Sequence, residues 1–177
     1  MSHVPDLNYR RQWFEAYRQR VAAGATPLPP VGLRYTCPCC GYPTLQERRC
    51  YEICELCHWE DDGQDDPCAD DVRGGPNSSY SLAEARSNFT QYMRKHSPDK
   101  TPRAFDRPWD PTITTTKAAK QAIMAACDQM LEQTDPRLIT SLWKQVGLHE
   151  QILRREVRRG TRAFEIYLQQ ERAKKDQ

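Results

Sequence analysis

Two Cys-x-x-Cys pairs limit what this chain can fold into more than any other feature of its sequence. Cys37 and Cys40 form the first pair, Cys54 and Cys57 form the second, and residues 41–53 lie between them. Two residues between cysteines allow a tight turn to direct both thiolates at one metal ion. The intervening segment is long enough for a short hairpin that brings the pairs face to face. The pattern predicts a structural Zn²⁺ site with these four cysteines as its ligands.

Four of the eight cysteines lie outside the predicted site: Cys39, Cys50, Cys68 and Cys127. We expect Cys39 to point away from the metal, and Cys50 and Cys68 to be free thiols. Disulfides are one alternative, but disulfide scaffolds are typical of short secreted chains. A redox motif is another, but thioredoxin-like pairs occur singly after a strand of a βαβ pattern, which this sequence lacks. His58, which follows the second pair, is the best substitute ligand.

Composition indicates a polar, ordered and soluble protein. Charged residues make up 28% of the chain, and four Trp, eight Tyr and four Phe argue against general disorder. No run approaches the roughly 18 apolar residues of a membrane-spanning helix. The first residues contain no apolar stretch typical of a signal peptide, so we expect a cytoplasmic protein without a membrane partner. A formal net charge of +2 gives no overall reason to expect nucleic-acid binding.

The segment after the second pair is strongly acidic. A calcium loop aligned on Gly63 would place His58 at the first ligand position and Ala69 at the last, so that motif fails. A solvated loop and an acidic recognition surface remain as interpretations. The second hypothesis uses Trp59 as an apolar anchor. Its partner-binding carboxylates are Glu60, Asp61, Asp62, Asp65 and Asp66.

Helical periodicity predicts a mostly α protein with a small zinc-ribbon-like β/loop module, in which helical flanks pack on a four-cysteine zinc knuckle core. Aromatic residues at helical spacing predict a helix over 7–23. Ser81 and Glu84 form a capping box that starts another helix, which the Ser-Pro step at Pro98 ends. Three apolar stripes predict three helices in the C-terminal third, with a break or bend near Gly147.

The sequence divides into three regions. Residues 1–30 form an N-terminal helix and a Pro-rich linker. Residues 31–97 form the zinc module, with a short strand over 51–53, the acidic loop and the capped helix. Residues 98–177 form a Pro-rich loop, which contains Trp109, and a basic helical region.

The cysteine segment resembles the bacterial cysteine-rich CPCC family. The likeness rests on YTCPCCGYPTL at 35–45, YEICELC at 51–57, WEDDGQDD at 59–66, GGPN at 74–77, and the pairs SL, AR and NF between 81 and 89. It covers about residues 35–90, and this chain has His58 where the family commonly has an aromatic residue. Members occur beside polymorphic toxins as candidate immunity proteins. The resemblance therefore implies a binding protein whose partner is a cognate protein toxin, and it supplies no catalytic mechanism.

Three functions compete at this stage. An immunity protein would use zinc to hold a platform that binds a toxin. A zinc-ribbon nucleic-acid-binding protein is the alternative; arginines between 154 and 162 favour it, whereas the acidic stretch would repel phosphate. An enzyme is the third, but four cysteines leave zinc no open position for water, and the sequence contains no recognisable catalytic order of residues. We predict an immunity protein that acts by binding and has no catalytic residues.

Overall fold

A computed structural model describes residues 6–100 and 112–175 of the protein. The helices of this part are α1 (Leu7–Ala22), α2 (Leu82–Tyr92), α3 (Ile113–Leu131) and α4 (Pro136–Lys175). Strands β1 (Tyr35–Thr36) and β2 (Pro43–Leu45) pair antiparallel, and short 3-10 turns occupy Asp66–Cys68 and Gly75–Asn77. The mostly α fold class with a small β/loop module is confirmed. The predicted loop residue Trp109 lies outside the described residues.

Aromatic side chains pack α1 against α4. Phe14 and Tyr17 are buried one turn apart on α1, and their ring centroids lie 6.0 Å and 5.8 Å from that of Trp143. Burial of several aromatic rings at such distances supplies much of a small core's stability. The aromatic stripe in the sequence is therefore packing surface, and α1 ends at Ala22, close to the predicted boundary.

Helices α3 and α4 form an antiparallel hairpin joined by residues 132–135. Two helices, rather than the predicted three, fill the C-terminal third, because α4 runs without a break through Gly147. A side chain at Gly147 would place its Cβ 3.0 Å from Val31 Cγ1. This glycine serves the close approach of the linker to α4, so the predicted break near it is wrong.

Helix α2 begins as predicted but ends early. The Ser81 hydroxyl accepts from the Glu84 amide at 3.1 Å, whereas the Glu84 carboxylate binds Lys100 Nζ at 2.7 Å instead of completing a capping box. The helix ends at Tyr92 because Met93 adopts a left-handed conformation with φ 55° and closes the last turn onto Phe89 O. The predicted end at the Ser97-Pro98 step is too late by about one and a half turns.

The expected strand before the second cysteine pair is not formed. Tyr51 has φ 58°, which strands do not adopt, and the segment contributes only an isolated bridge between Ile53 and Glu60. None of the described helices has the length and apolar character that crossing a membrane requires.

Candidate metal centre

The first cysteine pair is held by a tight turn with two backbone hydrogen bonds. The Gly41 amide donates to Cys37 O, and the Cys37 amide donates to Tyr42 O, both at 2.9 Å. Gly41 reaches this geometry with φ 75°. Its absent side chain also makes room for α1, since a Cβ there would lie 2.7 Å from Leu7 Cδ1. The turn directs Cys37 and Cys40 to the same side.

The second pair forms the same turn, with backbone hydrogen bonds at the equivalent positions. The His58 amide donates to Cys54 O, and the Cys54 amide donates to Trp59 O, again at 2.9 Å. His58 has φ 66°, a conformation that costs a non-glycine residue about 1–2 kcal/mol. The chain therefore builds two equivalent knuckles, with Cys54 and Cys57 facing the first pair.

The four predicted ligands, Cys37, Cys40, Cys54 and Cys57, come together in one buried cluster. Their sulfur atoms all lie within 4.8 Å of one another, and the four side chains are at most 1% exposed. Cys37 and Cys57 are 3.6 Å apart at sulfur, as are Cys40 and Cys54. A tetrahedral zinc ion with Zn–S bonds of about 2.3 Å holds its sulfurs about 3.8 Å apart, whereas a disulfide needs about 2.05 Å. The cluster fits zinc, and all eight cysteines are unpaired.

The comparison with protein-family models agrees with this geometry. Residues 35–100 match the family model described as Cysteine-rich CPCC. This segment of the chain belongs to the cysteine-rich CPCC family. No curated protein and no solved structure matches the chain. We call residues 35–100 the CPCC module; it contains both knuckles and α2, whereas α1, α3 and α4 lie outside it.

His58 is placed beside the metal cluster rather than in it. Burial, with Lys120 nearby, lowers the pKa of His58 to about 3, so the imidazole is neutral. Its Nε2 lies 2.9 Å from Lys120 Nζ and accepts a hydrogen bond from that ammonium group. The CPCC module thus uses His58 to contact α3, and the structure gives no support to its role as a substitute ligand.

Without a metal ion, burial keeps most thiols of the cluster protonated. Burial raises the pKa values of Cys37, Cys40 and Cys57 well above the usual value. Burial also opposes ionisation of Cys54, but hydrogen bonds from the neighbouring thiols outweigh it, and its pKa lies well below the usual value. The Thr44 hydroxyl donates to the same sulfur at 3.1 Å. A metal ion would replace the remaining protons and gain four thiolate ligands, so binding is coupled to proton release.

Three helices each contribute a cation to the carbonyl groups of the knuckles. Arg10 Nη1 of α1 donates to Cys40 O at 2.7 Å, and Arg86 Nε of α2 donates to Pro38 O at 3.0 Å. Lys120 Nζ of α3 donates to Leu56 O at 2.7 Å. The negative charge of four thiolates exceeds the positive charge of one Zn²⁺, so the zinc-loaded centre would be anionic. These cations would stabilise it.

Sequence reasoning did not identify these three cations. A usable signal existed for two of them, because Arg10 lies on the aromatic stripe of α1 with Phe14, and Lys120 lies on the apolar stripe of α3 with Ile123. A charged residue on a buried helix face needs a polar partner. The identity of that partner depends on contacts far along the chain, so it was not readable from the pattern.

The structure contradicts the hypothesis of an acidic recognition surface at two of its proposed residues, Trp59 and Asp61, because both are buried. Trp59 is fully buried and therefore is not available as an anchor for a partner. Asp61 is also fully buried, and its Oδ2 accepts from Arg48 Nε and from the Arg49 amide, both at 2.7 Å. Glu60 and Asp62 are half-buried. These residues stabilise the CPCC module from within.

The two remaining carboxylates of that set are neutralised by arginines. Asp66 pairs with Arg11 at 2.8 Å and with Arg86 at 2.6 Å. Asp65 pairs with Arg11 at 2.5 Å and with Arg48 at 3.1 Å. Burial opposes ionisation of both carboxyls, but the arginines outweigh it and hold each pKa below the usual value. The segment contains an ion-pair network that joins α1 and α2. The arginines reduce the negative charge at Asp65 and Asp66, whereas Asp70 and Asp71 of the same segment stay exposed.

The four leftover cysteines occupy distinct environments. Cys39 and Cys127 are buried outside the metal cluster, and burial raises the pKa of both thiols. Cys50 is exposed. Cys68 is half-buried, with Arg73 Nη2 3.3 Å from its sulfur. None of the four joins the cluster.

Proposed function

We propose that this protein is a zinc-stabilised binding protein that neutralises a cognate protein toxin by direct contact, without catalysis. The observation that carries the proposal is the complete burial of a closed set of four cysteine sulfurs. A zinc ion held by all four would have no open position for water or substrate. Zinc would stabilise the fold, and binding of a partner would depend on the surfaces of that fold.

The distal half of α4, residues 157–175, is the surface best suited to a partner. Helix α4 has 40 residues and a length of about 60 Å, whereas its neighbour α3 has 19 residues and about 28 Å. The distal half therefore extends beyond the hairpin. Val157, Ile166 and Leu168 are 48%, 55% and 37% exposed there. A helix that extends past its neighbour and exposes apolar side chains is accessible to a protein partner.

The charge of this surface indicates the chemistry of the partner. Basic residues outnumber acidic ones between 157 and 174: Arg158, Arg159, Arg162, Arg172 and Lys174 against Glu165 and Glu171. An acidic face on the toxin would complement the helix and speed encounter. Recognition would then involve a basic helix, the reverse of the acidic loop expected from the sequence.

Nucleic-acid binding is the second candidate, and the same arginines favour it. The acidic stretch is a weaker objection than its sequence suggested, since arginines neutralise Asp65 and Asp66. However, Glu156 binds Arg155 at 3.1 Å and Arg159 at 2.7 Å, which reduces the charge available for phosphate. Phosphate contacts would make any such binding strongly dependent on salt.

Binding assays separate the two candidates. The full chain, loaded with zinc, is titrated with the product of a neighbouring toxin gene and, separately, with single- and double-stranded oligonucleotides at low and high salt. We expect tight toxin binding and loss of toxin activity, with weakening by the triple variant R158Q/R162Q/I166S. A matched variant, R137Q/K144Q, removes two charges from the proximal half of α4. Salt-sensitive oligonucleotide binding without toxin binding would support the second candidate.

A further inference from the structure

A cavity of about 640 Å³ adjoins the second knuckle. It opens between the end of α2, the start of α3 and the middle of α4, and His58 and Lys120 form part of its wall. Its volume is within the range of small-molecule sites, about 300–1,000 Å³. The metal centre gives the cavity itself no role, and the toxin proposal shares with its wall only the α4 residues Val157, Gly160 and Thr161.

The described wall of the cavity is cationic. Its charged residues are Arg94, Lys117 and Lys120, and no acidic residue is among its described lining. Within the described part of the chain, Arg94 and Lys117 form no ion pair. Lys120 Nζ uses two of its three N–H groups on Leu56 O and His58 Nε2, which leaves one donor. Three cations and no carboxylate among the described lining residues make this part of the wall positive.

The start of α3 adds to this positive potential. Thr112, Ile113 and Thr116 belong to the wall, so the amino end of the 19-residue helix lies beside the cavity. The helix dipole places partial positive charge at that end. The Thr116 side chain also offers a hydroxyl donor to an anionic group.

Another part of the wall is apolar. Ile113 is 45% exposed and Val157 is 48% exposed, and both line the cavity. Exposed aliphatic side chains next to unpaired cations suit a ligand with a charged end and an apolar end. Burial of such a ligand would cover these side chains while its anion neutralises the cations.

We propose that this cavity binds a small organic anion, a carboxylate or a phosphate monoester that carries an apolar group. Arg94 and Lys117 bind the anionic group, the remaining N–H of Lys120 orients it, and Ile113 and Val157 contact the apolar part. The proposal does not depend on toxin neutralisation. The ligand would touch His58 and so lie against the metal-binding module.

Methyl NMR of the full, zinc-loaded chain tests this proposal. Benzyl phosphate and phenylacetate are the probes for the two anion types, and the methyl signals of Ile113 and Val157 are followed, with Ile139 as a reference. We expect saturable shifts of the first two signals with at least one probe. Inorganic phosphate has only the anionic group, and benzyl alcohol has only the apolar group. Each should bind at least about tenfold more weakly than the probe that shifts the signals.

Variants connect the binding to the cavity. Arg94→Gln with Lys117→Gln should weaken binding at least about tenfold, as should Thr116→Glu, which adds a carboxylate to the wall. The matched control, Arg137→Gln with Lys144→Gln, removes the same charge from the exposed proximal half of α4 and should bind as the unaltered chain does. Zinc content and circular dichroism confirm that each variant is folded.

Three results would overturn the proposal. One is the absence of saturable shifts with both probes up to about 10 mM. Another is equal binding of benzylammonium, which would exclude a role for the cations. The last is equal weakening by the cavity and control variants, which would indicate a general charge effect.

Discussion

Gly41 and His58 occupy the same position in two successive knuckles. Each directly follows the second cysteine of its pair, adopts a left-handed conformation with φ 75° or 66°, and donates its amide to the first cysteine. Their surroundings differ: a side chain at Gly41 would collide with Leu7, whereas the side chain of His58 reaches Lys120. At this one position, the first knuckle therefore allows a close approach of α1, whereas the second contributes a side-chain hydrogen bond to α3.

Gly41→Ala should destabilise the zinc-loaded protein by about 2–4 kcal/mol, because left-handed strain and overlap with Leu7 act together. His58→Gly should change stability by less than about 1 kcal/mol, since relief of strain offsets the lost contact with Lys120. Urea denaturation measures both changes. Equal effects at the two positions would show that packing does not distinguish the knuckles.

The protein should bind one Zn²⁺ per chain, and a strong chelator should unfold the CPCC module, since such sites contribute about 10 kcal/mol or more to folding. Elemental analysis and circular dichroism are the measurements. Cys54→Ser should lose the metal, whereas the control Cys50→Ser, at an exposed thiol, should retain it. Metal-free, folded protein with oxidised cysteines would contradict this assignment.

Lys120→Met should lower zinc affinity about 10- to 100-fold, because it removes a buried cation and leaves Leu56 O without its donor. Competition with a chromogenic chelator gives the affinity. Lys117→Met, on the exposed side of the same helix, is the control and should bind zinc normally. Indistinguishable affinities would mean that the ammonium group serves packing alone.

Arg48→Met should cost about 3–5 kcal/mol of stability, because it leaves the fully buried Asp61 carboxylate without its cationic partner. The neighbouring exposed Arg49→Met keeps the backbone bond to Asp61 and should have an effect below about 1 kcal/mol. Thermal unfolding at constant zinc distinguishes them. A small effect of Arg48→Met would indicate that the carboxylate is satisfied elsewhere.

Cys50 should be alkylated first, since it is the exposed thiol, and its raised pKa should keep the reaction slow at neutral pH. Cys39 and Cys127 should react only after unfolding, because both are buried. Mass spectrometry of timed samples measures the order. A single fast-reacting cysteine would point to a nucleophilic or redox role and contradict the proposed absence of catalysis.

The sequence by itself determined the four clustered cysteines, which are the predicted metal ligands, and the locations of the main helices. Cys37, Cys40, Cys54 and Cys57 were identifiable because the turn that places two thiolates on one ion is local, and its spacing is visible in the chain. The helices of the N-terminal and C-terminal regions were identifiable for the same reason, since helical periodicity is a property of neighbouring residues.

Only the tertiary structure decided what surrounds those ligands. Arg10, Arg86 and Lys120 reach the knuckles from three helices. Two carboxylates of the acidic segment, Asp65 and Asp66, are paired with Arg11, Arg48 and Arg86. Gly147 likewise continues a helix because Val31 packs against it. Charge pairing and close approach depend on residues far apart in the chain, so local composition indicated a uniformly exposed acidic loop, whereas folding buries Asp61 and pairs Asp65 and Asp66 with arginines.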